Sequence, residues 1–199
     1  MQPHVRKLTR SLGSTSICPP IALIGLPGCG KTTVGRQLAR RLGVPFVDSD
    51  HAIETRLGCS IREFFEREGE DRFRDIEQEV IDDLTANSLG VVSTGGGVVL
   101  RPANRQHLHE RGKVIYLKST PEELFRRLRH DATRPLLQVA DPMNRLRDLY
   151  SQRDPLYREV AHFVMETGRP SVATLVNMIV MQLDLAGLVP PKPSTATAE

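Results

Sequence analysis

Residues 25–32 read Gly-Leu-Pro-Gly-Cys-Gly-Lys-Thr, which satisfies the spacing G-x-x-x-x-G-K-[ST]. Glycines at these positions let a backbone wrap around phosphate oxygens, because they take dihedrals that a Cβ disfavours. Amides from Gly28, Cys29, Gly30, Lys31, Thr32 and Thr33 can then converge on an anion at a helix N-terminus, where the dipole favours negative charge. Lys31 has the reach for β- and γ-phosphates, and the Thr32 hydroxyl can ligate Mg²⁺. Cys29 reads as a small residue that fits the loop rather than as a redox group. The loop implies that a nucleoside triphosphate is held. It leaves open where the phosphoryl group goes.

The other candidates follow apolar runs. Asp48-Ser49-Asp50 offers two carboxylates. One can support hydrated Mg²⁺, and the other can accept a proton or hydrogen bond from a substrate hydroxyl. Capping of a helix by Asp50 is the structural alternative. Thr94-Gly95-Gly96-Gly97 is costly in conformational entropy and suits a ligand approaching the backbone; a tight turn is the alternative. The run before it ends in Ser93-Thr94, with no acid where many nucleotide-binding proteins carry a metal-supporting Asp. Asp48 is therefore expected to partner Thr32 at the metal.

Arg74 suits bidentate recognition of a carboxylate, although a surface pair with Glu77 one turn on fits the same spacing. Residues 130–141 form a polar, proline-interrupted connection around Thr133-Arg134-Pro135-Leu136-Leu137, the pattern of a mobile lid carrying an Arg to the phosphates. Arg153 and Tyr157 stand four apart around Pro155. Arg153 there could clamp an anionic substrate or lie on the surface.

The elements that must position these residues alternate. Short β-rich runs fall at 21–24, 46–48, 91–93, 114–117 and 162–165. Between them, 32–42 puts Val34, Leu38 and Leu42 on one helical face, and 72–84 does the same with Phe73, Ile76, Val80 and Leu84. Ser60 and Glu63 have capping-box spacing; Thr120 with Pro121 starts a further helix; 102–110, 142–150 and 172–185 complete the set. Strands alternating with helices predict an α/β fold, a five-stranded parallel sheet covered on both faces, with ligands at the carboxyl ends of the strands.

Bulk properties narrow the class. A chain of 199 residues suits one domain, expected over 20–187. Residues 1–19 carry Arg6, Lys7 and Arg10 with no acid and read as a disordered extension more than as a transit peptide. The Pro/Ser/Thr/Ala-rich stretch 188–199 reads as a disordered tail. Net charge is only +3 and Trp is absent, so the stripe of basic and aromatic residues expected of a nucleic-acid binder is missing. Three cysteines without a CxxC pair argue against a disulfide framework or zinc site and fit a reducing cytoplasm. No apolar run is long enough to span a membrane.

In order and spacing, the phosphate loop, Phe46-Val47-Asp48-Ser49-Asp50, Phe73-Arg74-Asp75-Ile76-Glu77, Ser93-Thr94-Gly95-Gly96-Gly97, Arg134-Pro135-Leu136-Leu137 and Arg153-Asp154-Pro155-Leu156-Tyr157 resemble shikimate kinase. The resemblance spans roughly 20–185. It implies a three-layer α/β/α P-loop kinase fold with a mobile lid, and ATP-dependent phosphorylation of the 3-hydroxyl of shikimate. By that resemblance Asp50 bonds the substrate hydroxyls and acts as base. Arg74 and Arg153 grip the substrate carboxylate, Glu77 orients Arg74, and Gly95, Gly96 and Gly97 line the substrate pocket. Arg134 sits near the transferred phosphate, and Arg127 and Arg169 flank the adenine. Lys31 and Thr32 keep their phosphate and metal roles, with Asp48 supporting one Mg²⁺ per subunit. The implied partners are ATP and shikimate, with no nucleic acid or membrane, in a cytoplasmic monomer. A gluconate kinase of the same fold and a nucleotide-binding protein without transfer activity are the rival readings.

Overall fold

The run Ile21–Ile24 has no polar side chain, and as strand β1 all of it is buried at the centre of a sheet. The computed structural model describes residues 19–129 and 140–189. The lid expectation, with Arg134 in it, lies outside the described residues, as do nearly all of the expected N-terminal extension and most of the expected tail. Strand β2 is Phe46–Asp48, β3 Val91–Ser93, β4 Lys113–Lys118 and β5 Phe163–Glu166. They assemble in the order β2-β3-β1-β4-β5, and every pair is parallel. Ile21 faces Val91 on one side and Lys113 on the other, while Asp48 is brought level with Ser93.

Parallel strands need crossovers, and helices supply them. These are α1 (Lys31–Leu42), α2 (Ser49–Leu57), α3 (Ile61–Asn87), α4 (Pro102–Arg111), α5 (Pro121–Leu128), α6 (Pro142–Val160) and α7 (Val172–Leu185). Helices α1 and α7 pack on each other, and α4 packs against α3 and α6, giving an α/β/α sandwich. The main core joins Leu23, Ile24, Tyr116 and Leu117 of the sheet to Leu38, Leu124, Leu149 and Ile179 of the helices. A second, smaller core lies apart from it, where Ile53 of α2 meets Phe64, Phe73 and Val80 of α3. Among the described residues no helix is long and apolar enough to cross a membrane.

Capping explains several helix starts. Ser60 and Thr120 each form a capping box with the acid three residues on, and Ser171 caps α7. Three features depart from the sequence reading. Helix α2 has no apolar stripe, burying only Ser49 and Ile53, so periodicity could not announce it. Its cap is Asp48, whose carboxylate accepts from the Asp50 N–H at 3.1 Å; Asp50 lies inside the helix. Helix α3 is continuous from the Ser60 cap to Asn87, apart from a break at Gly69, whose φ of 82° is left-handed. Helix α6 continues ten residues beyond the expected end at Tyr150, to Val160, across Pro155. Proline removes one helical hydrogen bond, but burial of Leu149, Tyr157 and Val160 on both sides of it holds the helix together.

Candidate active site

The loop after β1 delivers its residues to the carboxyl edge of the sheet. Gly30, at φ 99°, turns the chain into α1, a conformation a side chain would strain. Lys31 is 8% exposed, and its Nζ donates to the carbonyls of Gly25 at 2.8 Å and Leu26 at 3.0 Å. The next residue, Thr32, donates from Oγ1 to Asp48 Oδ2 at 2.9 Å, with Ser93 Oγ 3.4 Å away. Parallel register explains the meeting: Asp48 and Ser93 end neighbouring strands at the same level. A cavity of about 390 Å³ opens here, bordered by Gly28, Gly30, Lys31, Thr32 and Thr33 on the loop side and by Asp48, Asp50 and Gly96 opposite.

Asp50 is a carboxylate under stress. Burial, and then the charge of Asp48, push its pKa up to about 6, with Glu77 and Glu54 adding to the rise and Lys31 opposing it. A carboxylate tuned toward neutrality is suited to taking a proton near physiological pH.

The residues after β3 form the wall behind Asp50. A Cβ on Gly95 would lie 2.7 Å from Asp50 Oδ1 and 3.2 Å from Glu77 Oε1, and one on Gly97 would lie 2.3 Å from Arg74 Nη1. The glycines thus let two acidic side chains and one guanidinium lie flat against the backbone. Arg74 Nη1 donates to Glu77 Oε2 at 2.7 Å, and its Nη2 donates to Glu70 Oε1 at 2.9 Å. This is no solvated surface pair: the Arg74 side chain is 11% exposed and that of Glu77 1%. Burial pushes the Glu77 carboxyl up, while Arg74 and then Arg153 draw it back down. Arg153 Nη1 donates to the Gly96 carbonyl at 3.0 Å. Asp50, Glu77, Arg74 and Arg153 therefore gather on the backbone of Gly95, Gly96 and Gly97, beside the phosphate loop.

The two expected adenine residues are placed differently. Arg127 reaches the loop, donating to the Cys29 carbonyl at 3.5 Å and to both the hydroxyl and the carbonyl of Thr167. Arg169 is exposed and borders a second cavity with Glu123, Val164 and Met178, which shares no lining residue with the phosphate-loop cavity. Cys29 is buried with Sγ 3.8 Å from Lys31 Nζ, packed as a small loop residue.

Sequence reasoning passed over Ser49 and gave Tyr157 no role. The Gly95 N–H donates to Ser49 Oγ at 3.1 Å, and the Tyr157 hydroxyl donates to the Gly96 carbonyl at 2.5 Å. The spacing of Tyr157 from Arg153 was the one available signal, since both leave α6 on the same side.

Comparison with known proteins agrees with this geometry. The shikimate kinase family model matches residues 27–184. A shikimate kinase of Paracidovorax citrulli is 63% identical over 176 residues, covering 87% of this chain and 96% of the relative. That of Ralstonia nicotianae is 58% identical over 180 residues, covering 90% and 95%. Among solved structures, the shikimate kinase from Acinetobacter baumannii in complex with shikimate superposes with a TM-score of 0.79 at 47% identity, over 85% of this chain and 94% of that one. With its phosphate loop, half-buried Asp50 and glycine-lined arginine pocket in one cleft, the chain belongs to the shikimate kinase family.

Proposed function

We propose that this chain transfers the γ-phosphoryl group of ATP to the 3-hydroxyl of shikimate, giving shikimate 3-phosphate and ADP. The observation that carries the reading is the juxtaposition of Asp50 with Arg74 and Arg153 on the backbone of Gly95, Gly96 and Gly97, at the edge of the phosphate-loop cavity. A small acceptor with one carboxylate and several hydroxyls matches that set: arginines for the carboxylate, a carboxylate for the hydroxyl.

Phosphoryl transfer needs positioning and charge neutralisation more than covalent chemistry. Amides of Gly28, Cys29, Gly30, Lys31, Thr32 and Thr33 cradle the phosphates, and the Lys31 ammonium moves onto the β- and γ-oxygens. Arg74 and Arg153 hold the acceptor by its carboxylate, and Asp50 orients the attacking hydroxyl and takes its proton. Glu77 keeps Arg74 in place. Arg134 closes over the transferred group, while Arg127 and Arg169 serve the adenine end. The oxygens of Thr32 and Asp48, side by side, suit one Mg²⁺ ion. When bound, that ion neutralises charge on the β- and γ-phosphates. The catalytic unit is proposed to span 20–187 and to act as a cytoplasmic monomer.

The test is release of ADP with shikimate and with gluconate as acceptors. Turnover with shikimate supports the reading. Turnover with gluconate alone overturns it, and so does binding of ATP and shikimate without ADP release.

A further inference from the structure

A loop of three glycines has no side chains to fix it and depends on neighbours for its shape. Here the neighbours are specific. The Gly95 N–H is tied to Ser49 of α2, and the Gly96 carbonyl accepts from two donors of α6, Arg153 Nη1 at 3.0 Å and the Tyr157 hydroxyl at 2.5 Å. A carbonyl oxygen has two lone pairs, and both are used.

The two donors are not alike. Tyr157 is fully buried, and its ring stacks on Tyr116 with centroids 4.9 Å apart. Tyr116 is itself tied down, its hydroxyl donating to Asp154 Oδ1 at 2.8 Å. Burial raises the Tyr157 hydroxyl well above the ordinary phenol range, so it remains a donor at every working pH. Arg153 has donors to spare, and its Nε is buried without a partner among the described residues.

We propose that Tyr157 is a positioning residue for the acceptor: by holding the Gly96 carbonyl, it frees Arg153 to turn from that carbonyl to the substrate carboxylate without leaving a half-buried acceptor unpaired. The inference rests on the reading of Arg153 as a carboxylate-binding residue. If Tyr157 lacked its hydroxyl, each engagement of Arg153 with substrate would strip the Gly96 carbonyl of its last donor. That cost falls on acceptor binding and not on ATP.

The test is Tyr157→Phe, which keeps the ring stack and removes only the hydroxyl. The expected result is a KM for shikimate raised roughly 3- to 10-fold, the scale of one net hydrogen bond, with the KM for ATP and kcat within about twofold of the parent. Tyr116→Phe removes an equally internal hydrogen bond outside the pocket and should lower Tm without moving either KM. The methyl ester of shikimate, which has no anionic carboxylate, should be used poorly by the parent enzyme and no worse by Tyr157→Phe. An unchanged shikimate KM in Tyr157→Phe, or equal rises in both KM values, overturns the proposal while the activity itself stands. Absence of shikimate turnover in the parent enzyme is the separate failure of the functional reading.

Discussion

Gly97 and Arg74 are fitted to each other: the guanidinium lies where a side chain at 97 would stand, with Nη1 2.3 Å from the position of a Cβ. The backbone at Gly97 has φ −95°, which any residue adopts, so the requirement for glycine here is purely one of space. Gly97→Ala should therefore still fold, but by pushing Arg74 off the buried Glu77 carboxylate it should lose about 3–5 kcal/mol of stability. The expected outcome is a KM for shikimate raised about tenfold or more, the scale of a charge-assisted hydrogen bond, and an unaltered KM for ATP. Steady-state kinetics with each substrate varied in turn decides it; equal effects on both substrates would show a general distortion instead.

Arg74→Lys keeps the charge and loses the fork that spans Glu77 and a carboxylate together. Acceptor binding should weaken by roughly 1–3 kcal/mol. A parent-like KM for shikimate would mean that Arg74 has no part in acceptor recognition.

Asp50→Asn separates function from stability. Turnover should fall by about 10²–10⁴-fold with little change in ATP affinity, as expected for loss of a general base. An equal loss of ATP binding would place Asp50 at the metal. The folded pKa of Asp50 is raised from 3.8 to about 6, so ionising it costs the folded state. That cost is absent below about pH 4, grows as pH rises through 6 and is complete above it. Urea unfolding at pH 8 should accordingly find Asp50→Asn more stable than the parent by about 1–3 kcal/mol, with the difference gone at pH 4.

The same carboxylate predicts a pH profile. With Asp50 needed as the anion, kcat/KM for shikimate should fall on the acidic side with a midpoint near its free-enzyme value of about 6. Glu77 is among the charges that raise Asp50. Glu77→Gln should move that limb to lower pH, besides weakening the hold on Arg74. A limb that ignores both Asp50→Asn and Glu77→Gln would belong to another group.

The positions of the five strands and the phosphate loop were readable because apolar runs and glycine spacing are local signals; the strand order was not, since it is set by long-range pairing. The missing acid after β3 pointed to Asp48 beside Thr32 at a metal; the two side chains do meet, while the metal role belongs to the proposed function. Helix α2 was not readable, because a nine-residue helix burying Ser49 and Ile53 leaves no stripe. The continuation of α6 was hidden by Pro155, whose local preference is overridden by the buried residues around it. Ser49 and Tyr157 escaped notice for a different reason. Each acts on a backbone amide or carbonyl more than 40 residues away in sequence, a contact set by strand and helix packing and carried by no motif.

The second hydrophobic cluster, Ile53 with Phe64, Phe73 and Val80, underlies the part of α2 and α3 that presents Asp50, Arg74 and Glu77, while the phosphate loop grows from the main core. Only the Asp50, Arg74 and Glu77 side of the acceptor pocket therefore has a foundation of its own; Arg153 and Tyr157 stand on the main core with the phosphate loop. Repacking the smaller cluster is expected to shift Asp50, Arg74 and Glu77 while leaving the phosphate loop on its own support.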